Sequence, residues 1–397
     1  MSDEKKDIIR IKILIFLVYL VEGFIAYAIY NALSYYLGYV LGINSILIGI
    51  VGSIGIIPFL LKIVIAPLTD KYSLPIFSDK KKSYLFIGII FNGIFLALFS
   101  IDILNFFVFF AIIFFLQSLG FVIMDVTVDS LAVLIKKDSH DVSISIVMFL
   151  GTLVGGALVF FVIGVFQYSY GLGFIIVGIL SLCLLPVIFF MKLPPNLNES
   201  TDVNFGEIRV IFKEKKFQLI IIFAFLFNID GGLLEFTLEP YLGRAFGASL
   251  VDVGILYIIS FLSSIIGIIL LYIYRNKLNK FKLFIFISYY MAFMSLTLCI
   301  AIFTSLVSFQ LFLFIYILMG ILSGVANMTL YAIFIEASSP KLAATSFIFL
   351  ITFLNFGFLI GVLFSGFIHI GVIYLISAII MATRTIILFK LIKIKEN

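Results

Sequence analysis

The residues of this sequence that could do chemistry are the ionisable side chains standing inside long apolar runs: Glu22, Lys62, Asp125, Asp129, Asp230, Glu235 and Glu239. An unpaired charge is costly in a hydrocarbon environment, so each is read first as a functional group. Asp125 and Asp129 are four apart and stack on one helix face. Gln117, eight positions before Asp125, lies ~80° round the same helix, so the three share a broad polar stripe. Glu235 and Glu239 repeat the spacing of four, whereas Asp230 points elsewhere on an ideal helix. Gly231-Gly232 and Pro240 could kink the segment enough to bring all three together. Carboxylates in a dry cavity suit proton binding and the recognition of a polar ligand. Asn228, Asn327 and Asn355 are buried-amide candidates, read equally well as ligand contacts and as interhelical hydrogen bonds. No catalytic residue, metal site or cofactor is assigned. The only histidines are His140 and His369, and Cys183 and Cys299 read as small core residues.

The elements that must position these groups follow from composition. Of 397 residues, 63% are hydrophobic and 12% charged, with a mean hydropathy of +1.29. Soluble domains carry roughly 25% charged residues, so a water-facing globule is excluded. Continuous apolar runs, rather than alternation, exclude an outer-membrane barrel. At ~20 residues per crossing, the runs predict an all-α membrane protein with spans at 11–37, 44–68, 84–100, 106–135, 142–166 and 171–191, then 217–242, 251–274, 283–303, 309–335, 342–367 and 372–389. Gly151 and Gly155-Gly156 would let helices pack closely, Pro58, Pro67 and Pro186 would kink them, and the phenylalanines read as lipid-facing bulk.

Orientation follows from Lys and Arg. With the N-terminus in the cytoplasm, every one of the 26 falls on the inner side except Arg244, outside, and Lys62 and Arg384, within spans. Both termini are therefore expected in the cytoplasm, in the cell membrane. Arg384 would snorkel inward or be buried against a neighbour. Ala26-Tyr27-Ala28 offers a signal-peptide cleavage site, but Glu22 interrupts the preceding apolar core and argues for a retained span. The net charge of +5 comes from short loops and implies no nucleic-acid partner.

The chain is also an internal duplication. The stretch from Gly120 to Ser145 parallels that from Gly320 to Thr345, and Glu22-Gly23 matches Asp230-Gly231. Six helices (1–191), a basic linker (192–216) that could carry a short interfacial helix, and six more helices (217–397) is the major facilitator layout of two parallel halves. In that layout spans one, four, seven and ten line the central cavity, and the intramembrane acids singled out above lie on one, four and seven.

Particular motifs sharpen this. Lys62, Ala66-Pro67-Leu68-Thr69-Asp70-Lys71-Tyr72, Lys80-Lys81-Lys82-Ser83, Met124-Asp125-Val126-Thr127-Val128-Asp129-Ser130 and Lys341-Leu342-Ala343-Ala344-Thr345-Ser346-Phe347 together resemble signatures of AmpG-type muropeptide permeases and acetyl-CoA transporters. The resemblance implies a proton-coupled facilitator carrying a polar or anionic small molecule. Met124 and Ser346 stand where those families have glutamine, and lysines replace an arginine cluster.

The expected function is secondary transport by alternating access, with Asp125, together with Asp129 or Glu22, binding the coupling proton; the protein is expected to act as a monomer. One rival is an intramembrane enzyme, since Asp125-x-x-x-Asp129 is similar to half of the magnesium-diphosphate motif of prenyltransferases. The duplicated position, Val325 and Thr329, lacks the second half. The other rival is a sensor or scramblase on the same bundle. Asp70 is expected to act as a gate at the inner end of span two. Lys62 lies ~27 Å and Asp125 ~28 Å from the same membrane face at 1.5 Å per residue, so the two are predicted to pair.

Overall fold

The computed structural model describes residues 3–134, 143–191, 213–274, 279–337 and 343–396, all helix, turn or loop with no strand among them. The apolar runs form α1 (Ile8–Val40), α2 (Ser45–Thr69), α3 (Lys80–Ser100), α4 (Phe107–Ala132), α5 (Ser143–Tyr168) and α6 (Tyr170–Phe190). They continue as α7 (Lys215–Phe246), α8 (Leu250–Ile273), α9 (Lys280–Phe303), α10 (Phe309–Phe334), α11 (Ser346–Ser365) and α12 (Ile370–Ile394). Among the described residues eleven of these are long and apolar enough to cross a membrane. The other, α5, is a 26-residue helix with its apolar stretch at Val147–Gly156. The linker's expected interfacial helix falls within 192–212, outside the described residues.

Polar residues fix the helix ends. Asp79 accepts from Lys82 N, Ser169 from Leu172 N, and Asn279 from Phe281 N and Lys282 N, each satisfying orphan donors of a first turn. Lys82 Nζ donates to the carbonyls of Phe189 (2.7 Å) and Met191 (3.0 Å), closing the end of α6.

Three of the helices that carry the charged residues are interrupted. The last third of α1 winds as π-helix over Ala28–Leu33 and Tyr36–Val40. In α2, Pro58 lacks a donor, and the chain pivots at Leu61, whose N–H bonds the Pro58 carbonyl at 3.0 Å. In α7 the backbone leaves helical geometry at Asn228 (φ −110°, ψ 3°) and at Phe236 (φ −109°, ψ 10°).

The chain folds as two compact units, residues 1–33 with 54–203, and residues 34–53 with 204–397. In the first, α1 packs on α5 so closely that a Cβ on Gly155 would strike the Leu20 carbonyl. In the second, α7 packs on α11 in the same way, with Gly361 against the Ile229 carbonyl. Small residues give membrane helices this approach.

Two sequence readings are corrected here. The phenylalanines are not simply lipid-facing: Phe99, Phe110, Phe114, Phe166 and Phe174 are buried, with Phe99 against Phe110 at 4.9 Å and Phe166 against Phe174 at 5.0 Å. Edge-to-face rings fill the irregular gaps between helices as bulk aliphatic chains would not. Cys183 is exposed at the break within α6 rather than in the core, while Cys299 is buried; both are free thiols.

Candidate functional site

In the first unit, α1, α2 and α4 bring their charges to one place. Lys62 Nζ forms an ion pair with Asp125 Oδ2, each side chain only 12% exposed. Tyr19, on the face of α1 that carries Glu22, donates its hydroxyl to Asp129 Oδ1. Glu22 is 5% exposed, and among the described residues its Oε1 finds no hydrogen-bond partner. It lies within electrostatic reach of Asp125, Asp129 and Lys62. Three carboxylates thus share one ammonium in a buried centre, an arrangement that binds a proton or a cationic group.

Gln117 belongs to the same face of α4 but is committed elsewhere. Its Nε2 donates to Asn92 Oδ1 at 2.7 Å, and Ser118 Oγ donates to its Oε1 at 3.2 Å. A narrow cleft of about 20 Å³, room for little more than one water molecule, runs beside it between α1, α2 and α4.

The second unit holds its acids in two separate settings. Glu239 is fully buried and accepts from Ser34 Oγ (2.9 Å) and from the Tyr257 hydroxyl. Glu235 lies within electrostatic reach of it, and the Tyr316 and Tyr374 hydroxyls meet nearby at 3.2 Å. Asp230 faces another way. It interacts electrostatically with Arg384, which is 1% exposed. The guanidinium stacks on Phe227 (4.9 Å) and Phe284 (5.7 Å), and donates to Ser288 Oγ (3.1 Å) and the Phe227 carbonyl (3.4 Å). The interruptions of α7 thus leave Asp230 in the electrostatic field of Arg384 rather than with Glu235 and Glu239.

The three amides stand in different settings. Asn327 donates to Ser323 within its own helix (3.1 Å), Asn228 marks the first break of α7, and Asn355 is half-buried with no partner for Nδ2 among the described residues. The Asp70 side chain lies outside the described set. Tyr19, Asn92, Ser34 and Tyr257 were absent from the sequence reading. A signal existed for two of them: Tyr19 sits one turn before Glu22, and Asn92 interrupts the apolar run of α3.

A family model described as Major Facilitator Superfamily matches residues 15–346. The chain belongs to that superfamily. It is similar in structure to the nucleoside transporter NupG (16% identity, 97% of this chain and 99% of that one, TM-score 0.73). It is also similar to a D-xylose-proton symporter (13%, 97% and 98%, TM-score 0.77) and to the inward-open xylose transporter XylE from E. coli (13%, 96% and 96%, TM-score 0.73). At these identities the likeness is one of fold. None of the curated proteins matches the sequence. The protein is a multi-pass membrane protein and a secondary transporter of small molecules, not an enzyme.

Proposed function

We propose that the protein moves a small polar or charged molecule across the cell membrane by alternating access, coupled to protons. The supporting observation is the buried centre of Glu22, Lys62, Asp125, Asp129 and Tyr19. Protonation of Asp125 would release Lys62 and loosen the contact between α2 and α4, so proton occupancy would bear on helix packing. Within the second unit Glu235, Glu239 and Asp230, with Asn228, Asn327 and Asn355, are proposed as proton- or substrate-contacting groups; Gln117 is proposed as a supporting polar group of the first, and Asp70 as an inner gate. The motif likeness to AmpG-type permeases and acetyl-CoA transporters favours a polar or anionic cargo; the surplus of carboxylates over Lys62 favours a polar or cationic one. The halves 1–191 and 217–397 are proposed to carry the alternating access between them, with both termini in the cytoplasm and the monomer as the working unit.

The test begins with a thermal-shift screen of detergent-purified protein against peptides, sugars, nucleosides, organic anions and amines. Uptake of the hit into proteoliposomes is then measured with and without an imposed pH gradient. Acceleration by the gradient is expected, and transport indifferent to it rejects the coupling.

A further inference from the structure

The internal duplication pairs Lys82 at the start of α3 with Lys282 at the start of α9, as it pairs the capping residues Asp79 and Asn279. The two lysines have different work to do. Lys82 commits its ammonium to the Phe189 and Met191 carbonyls, because α6 ends there and leaves them without helical donors. Their counterparts, Phe389 and Leu391, lie inside α12, which stays helical through Lys390 and Lys393. Within a helix, N–H groups one turn on serve such carbonyls. Lys282 therefore has no helix end to close, and α12 brings two further lysines toward it.

Cross-helix bonds fix how α9 and α12 lie. Arg384 Nε donates to Ser288 Oγ (3.1 Å), Thr385 Oγ1 to the Tyr289 hydroxyl (3.2 Å), and Ser295 Oγ to the Tyr374 carbonyl (2.8 Å). Residue numbers fall along one helix as they rise along the other, so the two are antiparallel. Counted from the Tyr289–Thr385 bond, Lys282 stands seven residues back and Lys393 eight residues on. That is ~10 Å and ~12 Å toward the same membrane face. Lys282, Lys390 and Lys393 are all exposed there, and among the described residues none of them forms an ion pair. Glu336, just past α10, is held by Lys280 and faces Lys216 at 3.9 Å.

Beyond the charges both helices carry the same pattern. Phe286 and Tyr289 follow Lys282 by four and seven positions, while Phe389 and Ile386 precede Lys393 by four and seven. Those spacings keep to one helix face, and all four side chains are exposed. A cationic end continuous with an apolar strip fits an amphiphile better than a free ion, since the ammonium groups answer a phosphate and the strip answers a chain. We propose that this end of α9 and α12 binds one anionic phospholipid, its phosphate among Lys282, Lys390 and Lys393 and an acyl chain along Phe286, Tyr289, Phe389 and Ile386. The corresponding place on α3 and α6 forms no such site, because Lys82 is committed to the end of α6.

The chain has no tryptophan, so Phe286→Trp installs a single fluorescent reporter beside the site, and Phe303→Trp installs one at the opposite end of the same helix. Each full-length protein is reconstituted in phosphatidylcholine vesicles with rising fractions of brominated phosphatidylglycerol or brominated phosphatidylcholine of identical chains, in near-physiological salt. Bromine quenches only a tryptophan it touches. At position 286 the anionic lipid should be preferred at least about fivefold, and at position 303 the two lipids should quench alike. Replacing Lys282, Lys390 and Lys393 together by Gln should bring the preference at 286 close to one. Equal quenching by both lipids at 286, a preference there that survives the triple replacement, or the same preference at both reporters overturns the site. Inorganic phosphate that abolishes the preference, where sodium chloride of equal ionic strength does not, would assign the lysines to a free anion and overturns the lipid. The two reporters compared with every lysine in place decide the question even where the triple variant does not fold.

Discussion

Lys62 is the residue on which the first unit's centre turns, since it supplies the one ammonium facing three carboxylates. Removing one partner of a buried pair leaves the other charge uncompensated and costs ~3–5 kcal/mol, while replacing both can be near neutral. Lys62→Met and Asp125→Asn are therefore each expected to lower thermal stability in detergent by that order, and the double variant to recover most of it. Additive losses in the double-mutant cycle would show that the two groups do not interact. The pairing was legible in the sequence because depth along a straight span is simple arithmetic. Tyr19 was not, although it stands one turn from Glu22, because a tyrosine in an apolar run looks like any interfacial aromatic until a carboxylate on another helix is seen to meet its hydroxyl.

Among the elements, α7 departs furthest from the straight rod that hydropathy describes. Its apolar run and its Gly231-Gly232 pair announced a weak point, yet the breaks fall at Asn228 and Phe236, where packing decides. Arg384 of α12 stabilises the first break by donating to the freed Phe227 carbonyl and by facing Asp230. Sequence left that arginine between snorkelling and burial, because nothing local tells which way its stem turns. Arg384→Gln should destabilise the protein by ~1–3 kcal/mol, because Ser288 Oγ and the Phe227 carbonyl lose a charged donor, and Asp230→Asn in the same chain should restore the smaller part that comes from their long-range attraction. Melting curves of the single and double variants check this, and an Arg384→Gln protein as stable as the parent would mean the break holds itself. The contact of α1 with α5 makes a second element-scale prediction. Gly155→Ala places a methyl group on the Leu20 carbonyl, so overpacking should cost ~1–3 kcal/mol. A neutral melting temperature would show that the two helices can part freely.

For the whole molecule, class was the most legible feature, because a bilayer leaves backbone polar groups no choice but helix; lysine placement adds an expected inner face. What composition alone could not give is which phenylalanines face lipid and which fill the core: rings such as Phe99 and Phe174 are buried by helices far apart in sequence. Reporter fusions at both ends should be active only in cytoplasm-dependent form, and a periplasm-active reporter at either end would reverse the orientation. The central claim is that the Glu22–Lys62–Asp125–Asp129 centre carries the coupling proton. Its most direct test is cargo-driven proton flux, read by a pH-sensitive dye inside proteoliposomes, for the parent and for the Lys62→Met/Asp125→Asn double variant. The parent should move protons when cargo is added, and the double variant should fold and bind cargo yet move none. Undiminished proton flux through the double variant would contradict the account.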